Sequence, residues 1–353
     1  SHHGGREEQV RTFGKINTYR VEGKPYVISE IDIPSANDYG GEAPLVQTLN
    51  STLQDHDAII FYAYKMRPEH KRYMIFSIAN DFVKLSQYPL AASIFRSGRV
   101  APLGPSVTYE IGLDDEMATA LRSGFYTHPL LTKNYQTEEK DFSEVPVDVL
   151  RHSRVYAKSR EGASIFPADA ELEIAKDERF DWFSQKSTPM KSYWRFEDSR
   201  YNLFAGFTLR LDQCRFRKAE LKGVRSGNHH LVFALTNLDG AIGAKGRHVV
   251  NLLNKRKYAG YDYTSGGEDV NDVEDRYRMR IRIKSVEKEK REFIEALPGQ
   301  LTLKLDEAVG EHQVSVYPMD NSGIPRKDTP VEFAASGNRL TVQFMPEYKS
   351  ILY

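Results

Sequence analysis

The sequence predicts an α/β segment over residues 1–100 followed by a β-rich, antiparallel sandwich-like segment over residues 101–353. Three observations carry that division. A strand pattern, a helix pattern and a second strand pattern follow one another between Lys24 and Tyr64. After about residue 100 the helical stripes give way to short alternating stretches. From Glu171 onward such stretches recur with turn residues between them, as in a sandwich or barrel.

Lys24 to Ile31 places β-branched and aromatic residues after a Gly-Lys-Pro turn, which predicts a strand. Pro34 to Gly41 is a polar loop. Pro44 suits the first turn of a helix, and Leu45, Val46, Leu49 and Leu53 give that helix an apolar stripe. Asp57 to Tyr64 is nearly continuous in apolar residues, as expected of a parallel strand covered on both faces. The three elements make a βαβ unit with a right-handed crossover. Ile75 to Leu85 and Pro89 to Arg96 predict further helix, and Val107 to Ile111 alternates like a strand. Leu113 to about Glu171 is polar and irregular. Later strands are expected at His229–Leu235, Val249–Leu253, Tyr277–Ile283, Leu301–Leu305, Gln313–Tyr317 and Leu340–Phe344. Asn237-Leu238-Asp239-Gly240 forms a hairpin-like turn after the first of these.

Composition narrows the function classes. The chain carries 49 Lys and Arg against 49 Asp and Glu, so it lacks the basic surplus of a dedicated nucleic-acid binder. No apolar run approaches the ~20 residues of a membrane helix. Cys214 is alone, which rules out an intrachain disulfide. One βαβ unit cannot close a barrel or cover both faces of a parallel sheet. The chain opens on Ser-His-His-Gly-Gly with no initiator Met, signal peptide or transit peptide. Together these features predict that partner strands lie upstream and that residue 1 is not where the protein begins.

Glu30 is the leading candidate for chemistry. It ends an apolar strand just before a loop of Asn, Asp, Tyr and Gly, and carboxylates at strand ends serve as nucleophiles or acid/base groups. A solvated rim residue is the competing reading. Gly23 to Glu30, Asn37-Asp38-Tyr39, Glu42 and Leu53-Gln54-Asp55-His56-Asp57 resemble the last βαβ portion of clan A glycoside hydrolases, in particular large bacterial polysaccharide-degrading or β-galactosidase-like members. Phe82-Val83-Lys84-Leu85 and Ala91 to Gly98 resemble that clan's closing helices. Thr236 to Gly240 with Arg247, and Glu295 to Gly299, resemble its C-terminal β-domain. The resemblance implies strands seven and eight of an incomplete (β/α)8 barrel over 1–100 and a β-rich accessory domain over 101–353. It implies a retaining mechanism with Glu30 as nucleophile. The clan's acid/base follows an Asn, and this sequence contains no Asn-Glu pair. The isolated chain is therefore expected to be inactive, its missing barrel strands being its first partner.

Carbohydrate-binding candidates surround Glu30. Tyr62 and Tyr64 could form a platform for a sugar face, or fill the core. Asn37, Asp38 and Tyr39 could bond sugar hydroxyls, or serve only as turn residues. His2 and His3 could belong to a substrate-contacting loop, or to a tag or frayed end. No metal or organic cofactor is implied, and a periplasmic or extracellular site follows only from the substrate class. His229 and His230 lack a third ligand at zinc spacing. Arg276, Arg278, Arg280 and Arg282 alternate with apolar residues as one face of a strand. Asp269-Val270-Asn271-Asp272 lacks the Gly of a calcium loop. Asn50-Ser51-Thr52 fits a glycosylation sequon but falls on the expected helix. The alternative function is a non-catalytic carbohydrate-binding or structural β-module.

Overall fold

The computed structural model describes residues 16–17, 20–33, 40–64, 78–104, 106–112, 152–160, 177–183, 191–225, 230–254, 257–265, 281–293, 296–320, 323–351 and 353. Strand β1 (Val27–Ile31) leads through a 3-10 turn at Gly40–Glu42 into helix α1 (Ala43–Leu53). Pro44 sits in the first turn of α1, and Leu45, Val46, Leu49 and Leu53 are buried along one stripe. Strand β2 (Ala58–Phe61) pairs in parallel with β1. A 3-10 turn at Ile78–Asn80 precedes helix α2 (Phe82–Arg96), whose N-cap is Asp81. Pro89 lies inside α2, so the two helices expected on either side of it are one from Phe82 onward; residues 65–77 lie outside the described residues.

The rest is strand. β3 (Ser106–Gly112) and β4 (Arg154–Arg160) pair in parallel. They are followed by β5 (Phe180–Phe183), β6 (Tyr193–Glu197), β7 (Tyr201–Phe207), β8 (Ala219–Lys222), β9 (His230–Asn237), β10 (His248–Leu253), β11 (Lys257–Ser265), β12 (Ile281–Phe293), β13 (Gly299–Lys304), β14 (Phe333–Ser336) and β15 (Arg339–Phe344). Two antiparallel sheets dominate. One runs β10-β9-β7-β6-β5 and the other β14-β15-β13-β8. β11 and β12 form a separate antiparallel pair. Gln313–Tyr317, expected as a strand, joins no sheet: a 3-10 turn covers Glu311–Gln313, and Val316 instead accepts one bond from the Val331 amide.

The two large sheets face each other across one core. Tyr193, Phe204, Leu231, Phe233, Leu235 and Leu252 of the first sheet meet Leu221, Leu301, Leu303, Leu340, Val342 and Phe344 of the second. The other face of the five-stranded sheet carries Trp194, Phe196, Leu203, Ala205, Val232 and Ala234, and it packs on α1 and α2 through Leu45, Leu49, Val83, Leu90 and Ile94. The order is therefore helices, five-stranded sheet, four-stranded sheet. Every residue of β7 and β9 is buried because these strands lie in the middle layer.

This arrangement corrects the expected barrel remnant. Most of the regular structure among the described residues is strand, and the large sheets are antiparallel. β1 and β2 form a two-stranded sheet by themselves. The helices that would cover a barrel wall instead bury their stripes on the five-stranded sheet. The physical reason is area. Two short strands offer little apolar surface, whereas that sheet offers a broad face of Trp, Phe, Leu and Val, and burial scales with area. β2 is also not the doubly covered strand its composition suggests, since Ile60 is exposed.

Candidate functional site

Glu30 owes its orientation to a β-bulge. The register pairs Val27 with Ala58, Ile28 with Ile59 and Ile31 with Phe61, so Ser29 and Glu30 together oppose Ile60. Strict alternation would send Glu30 to the same face as Ile28, into the core. The extra residue instead keeps Ile28 and Ile31 buried while Ser29 and Glu30 are both exposed. A carboxylate that would have been costly to bury therefore faces solvent at the C-terminal end of β1.

The chain leaving β2 is tied to β1 and to the 3-10 turn that precedes α2. The Tyr62 amide donates to the Ile31 carbonyl at 3.1 Å, extending the β1–β2 pairing by one bond. The Ile78 and Ala79 amides donate to the carbonyls of Ala63 and Tyr64 at 3.0 and 2.8 Å. Tyr62 and Tyr64 are 37% and 67% exposed, so their rings lie at the surface rather than filling the core.

Beneath this surface lies a charged cluster. Lys84 Nζ donates to Asp32 Oδ1 and Oδ2 at 2.6 and 2.7 Å and to the Ile33 carbonyl. Asp81 Oδ1 accepts from the Lys84 amide at 3.1 Å, capping α2, and its Oδ2 is 4.0 Å from Lys84 Nζ. The side chains of Lys84, Asp32 and Asp81 are all buried. Burial lifts the Asp32 carboxyl above its ordinary value, against the pull of Lys84. Tyr88 packs edge-on against Phe61 at 5.0 Å, and burial with Asp32 and Asp81 nearby drives its hydroxyl pKa upward.

The loop between β1 and α1 is anchored at its far end. Trp194 Nε1 on β6 donates to Glu42 Oε2 at 3.1 Å, and His230 Nε2 on β9 lies 3.9 Å from the same oxygen. A Cβ on Gly41 would come within 2.5 Å of the Val83 side chain, so only glycine lets this turn sit so close to α2.

Of the residues singled out by sequence, the structure places Glu30 opposite Ile60 near the end of β1 and Tyr62 just past the end of β2, its amide bonded to Ile31; Tyr64 lies two residues farther on. Asn37, Asp38, Tyr39, His2, His3, His229, Arg276, Arg278, Arg280 and Asp269 to Asp272 lie outside the described residues. The sequon is closed: Asn50 exchanges side-chain amide bonds with Asn17, and Ser51 and Thr52 are buried. The Asp32–Lys84 pair was not anticipated. Its signal is Lys84 itself, a charged residue on the buried stripe of Val83, Gln87, Leu90, Ala91 and Ile94. Among the described residues no three His, Cys, Asp or Glu side chains are grouped to hold a metal ion, and no helix is long and apolar enough to cross a membrane. No family model matches this chain, and no curated protein or solved structure matches it.

Proposed function

We propose that this chain is part of a retaining glycoside hydrolase in which Glu30 is the nucleophile, acting on a polysaccharide or oligosaccharide. The observation that supports this is the bulge, which turns Glu30 out of the core at the strand end, with exposed Tyr62 and Tyr64 following the neighbouring strand. In such chemistry one carboxylate oxygen attacks the anomeric carbon and the glycosidic bond breaks, leaving a glycosyl ester on the enzyme. A second carboxyl group about 5 Å away, protonated at first, gives its proton to the departing oxygen and then, as a carboxylate, takes one from the water that hydrolyses the ester. Asp32 is poorly suited to that second role, because Lys84 occupies both of its oxygens. The exposed tyrosine rings offer apolar faces to a sugar and hydroxyls to its polar rim.

The test uses a panel of 2-deoxy-2-fluoroglycosyl fluorides. Their fluoride leaves with its electron pair and needs no proton donor, so attack by Glu30 is read without the acid/base. The expected result is a mass increase on the peptide that contains Glu30, abolished in Glu30→Gln. Retention of the chain on an immobilised polysaccharide with no adduct from any panel member would favour a non-catalytic carbohydrate-binding module instead.

A further inference from the structure

We infer that Lys84 is a positioning residue for the Glu30 carboxylate, acting through Asp32 and the carbonyl of Ile33. The inference rests on the reading of Glu30 as nucleophile. A bulged strand end has two ways to settle: with the extra residue looped out, or slipped back into alternation. In the second, Glu30 would face the core. The contacts that hold the first arrangement begin at Ile31, whose side chain is buried and whose carbonyl accepts from Tyr62. They end at Asp32 and Ile33, both held by one ammonium from α2. Glu30, itself part of the bulge, is therefore followed at once by the buried Ile31 and by a buried clamp at Asp32 and Ile33.

The chemistry of the clamp supports a role beyond stability. Lys84 stands on a stripe whose other members are Val83, Gln87, Leu90, Ala91 and Ile94. An apolar residue there would bury as well, and buried ion pairs are often no more stabilising than apolar replacements of similar volume. What an apolar residue could not do is hold a carboxylate and a carbonyl of the β1 end in fixed directions. Asp81 adds to this by capping α2 at the turn from which Lys84 projects. The 3-10 turn just before α2 holds the main chain of Ala63 and Tyr64, through Ile78 and Ala79. The turn and the first turn of α2 are thus bonded to the segments that follow β2 and β1.

The experiment replaces the pair by apolar residues, Asp32→Leu with Lys84→Met, which removes both charges together and leaves Asp81 its bond from the main-chain amide of residue 84. The reactive 2-fluoroglycosyl fluoride is titrated against wild type and variant, with urea unfolding measured in parallel. The expected result is a folded variant whose maximal labelling rate falls tenfold or more while the half-saturating reagent concentration changes less than twofold. A folded variant labelled at the wild-type rate would overturn the inference. If wild type itself takes no label, the nucleophile reading fails, and amide exchange decides the clamp alone. Exchange in the peptide spanning Glu30 to Ile33 should then rise at least tenfold while that in β9 stays constant, and unchanged exchange would overturn the clamp. Should the double variant not fold, Asp32→Asn replaces it with the same expected and overturning results.

Discussion

Trp194 on the five-stranded sheet donates its indole N–H to the carboxylate of Glu42, the last residue before α1, at 3.1 Å. Both side chains are buried. The bond fixes the chain at the entry to α1, and it joins the helical layer to the sheet. Glu42→Ala would leave the indole N–H without this acceptor and open a small void. The expected loss is about 2–4 kcal/mol in urea unfolding. Glu42→Gln retains an amide oxygen that can accept, so its cost should be clearly smaller. Equal losses for the two variants would show that the hydrogen bond is not the anchor.

His56 makes stability depend on pH. It is buried after α1, edge-on to Tyr26 at 4.8 Å, and neither ring nitrogen has a hydrogen-bond partner among the described residues. Burial, aided by the Arg20 guanidinium, lowers its pKa to about 3. The folded state therefore binds a proton less readily than the unfolded chain. The stabilisation is fully present above the unfolded value near ~6.5 and is lost as pH falls toward the folded value. His248, also lowered by burial, acts in the same direction. Between pH 6 and 4 the unfolding free energy should drop by up to about 1.4 kcal/mol per pH unit from His56. His56→Phe should flatten that part of the profile, and a slope unchanged by the substitution would contradict this account.

Gln54, the residue that ends α1, uses its side-chain amide as a piece of strand. Its Nε2 donates to the Ser153 carbonyl at 2.8 Å, and its Oε1 accepts from the Val155 amide at 3.0 Å. Gln54→Leu keeps the volume but strands a carbonyl and an amide in a buried place. About 2–4 kcal/mol of stability should go, with the Val155 amide exchanging faster than those of β9. Gln54→Glu keeps one acceptor and sets a carboxylate against the Ser153 carbonyl, so it should be no better tolerated. A mild effect of Gln54→Leu, below about 1 kcal/mol, would mean that β4 is held by other contacts.

What was legible in the sequence follows from what is local. The α1 stripe at Leu45, Val46, Leu49 and Leu53 and the alternation in Leu340 to Phe344 report burial within one element. β7 was not singled out although it is as buried as β9, because Asn202 and Gly206 interrupt its apolar run. The layer order was hidden because it depends on which apolar face is largest. Helix stripes alone do not reveal whether they cover parallel strands or an antiparallel sheet. At the site, the strand-end position of Glu30 was visible, but the bulge exists only relative to the register of β2. The Asp32–Lys84 pair joins residues 52 positions apart, a separation at which no sequence periodicity operates.

The outer edge of β10 is bonded to the main chain of Ile351 and Tyr353. The Val250 amide donates to the Tyr353 carbonyl at 2.7 Å, the Tyr353 amide returns a bond to Val250 at 2.9 Å, and the Leu252 amide donates to Ile351 at 2.9 Å. The Tyr353 ring enters the core between the two sheets, 4.7 Å from Phe344, and its hydroxyl donates to the Ser350 carbonyl at 3.1 Å. Burying such a ring contributes about 1.5–3 kcal/mol, and an uncovered strand edge is a template for pairing with another chain. Removing residues 350–353 should therefore have two effects. Urea unfolding should show a loss of roughly 3–5 kcal/mol from the lost ring and hydrogen bonds. Light scattering should show association that grows with protein concentration, because β10 then presents free amides. Tyr353→Phe separates the two causes. It keeps the ring and the edge pairing and gives up only the hydroxyl bond, so it should cost about 1 kcal/mol and leave the protein unassociated. A truncated chain that stays unassociated at high concentration would show that covering β10 is not what Ile351 and Tyr353 do.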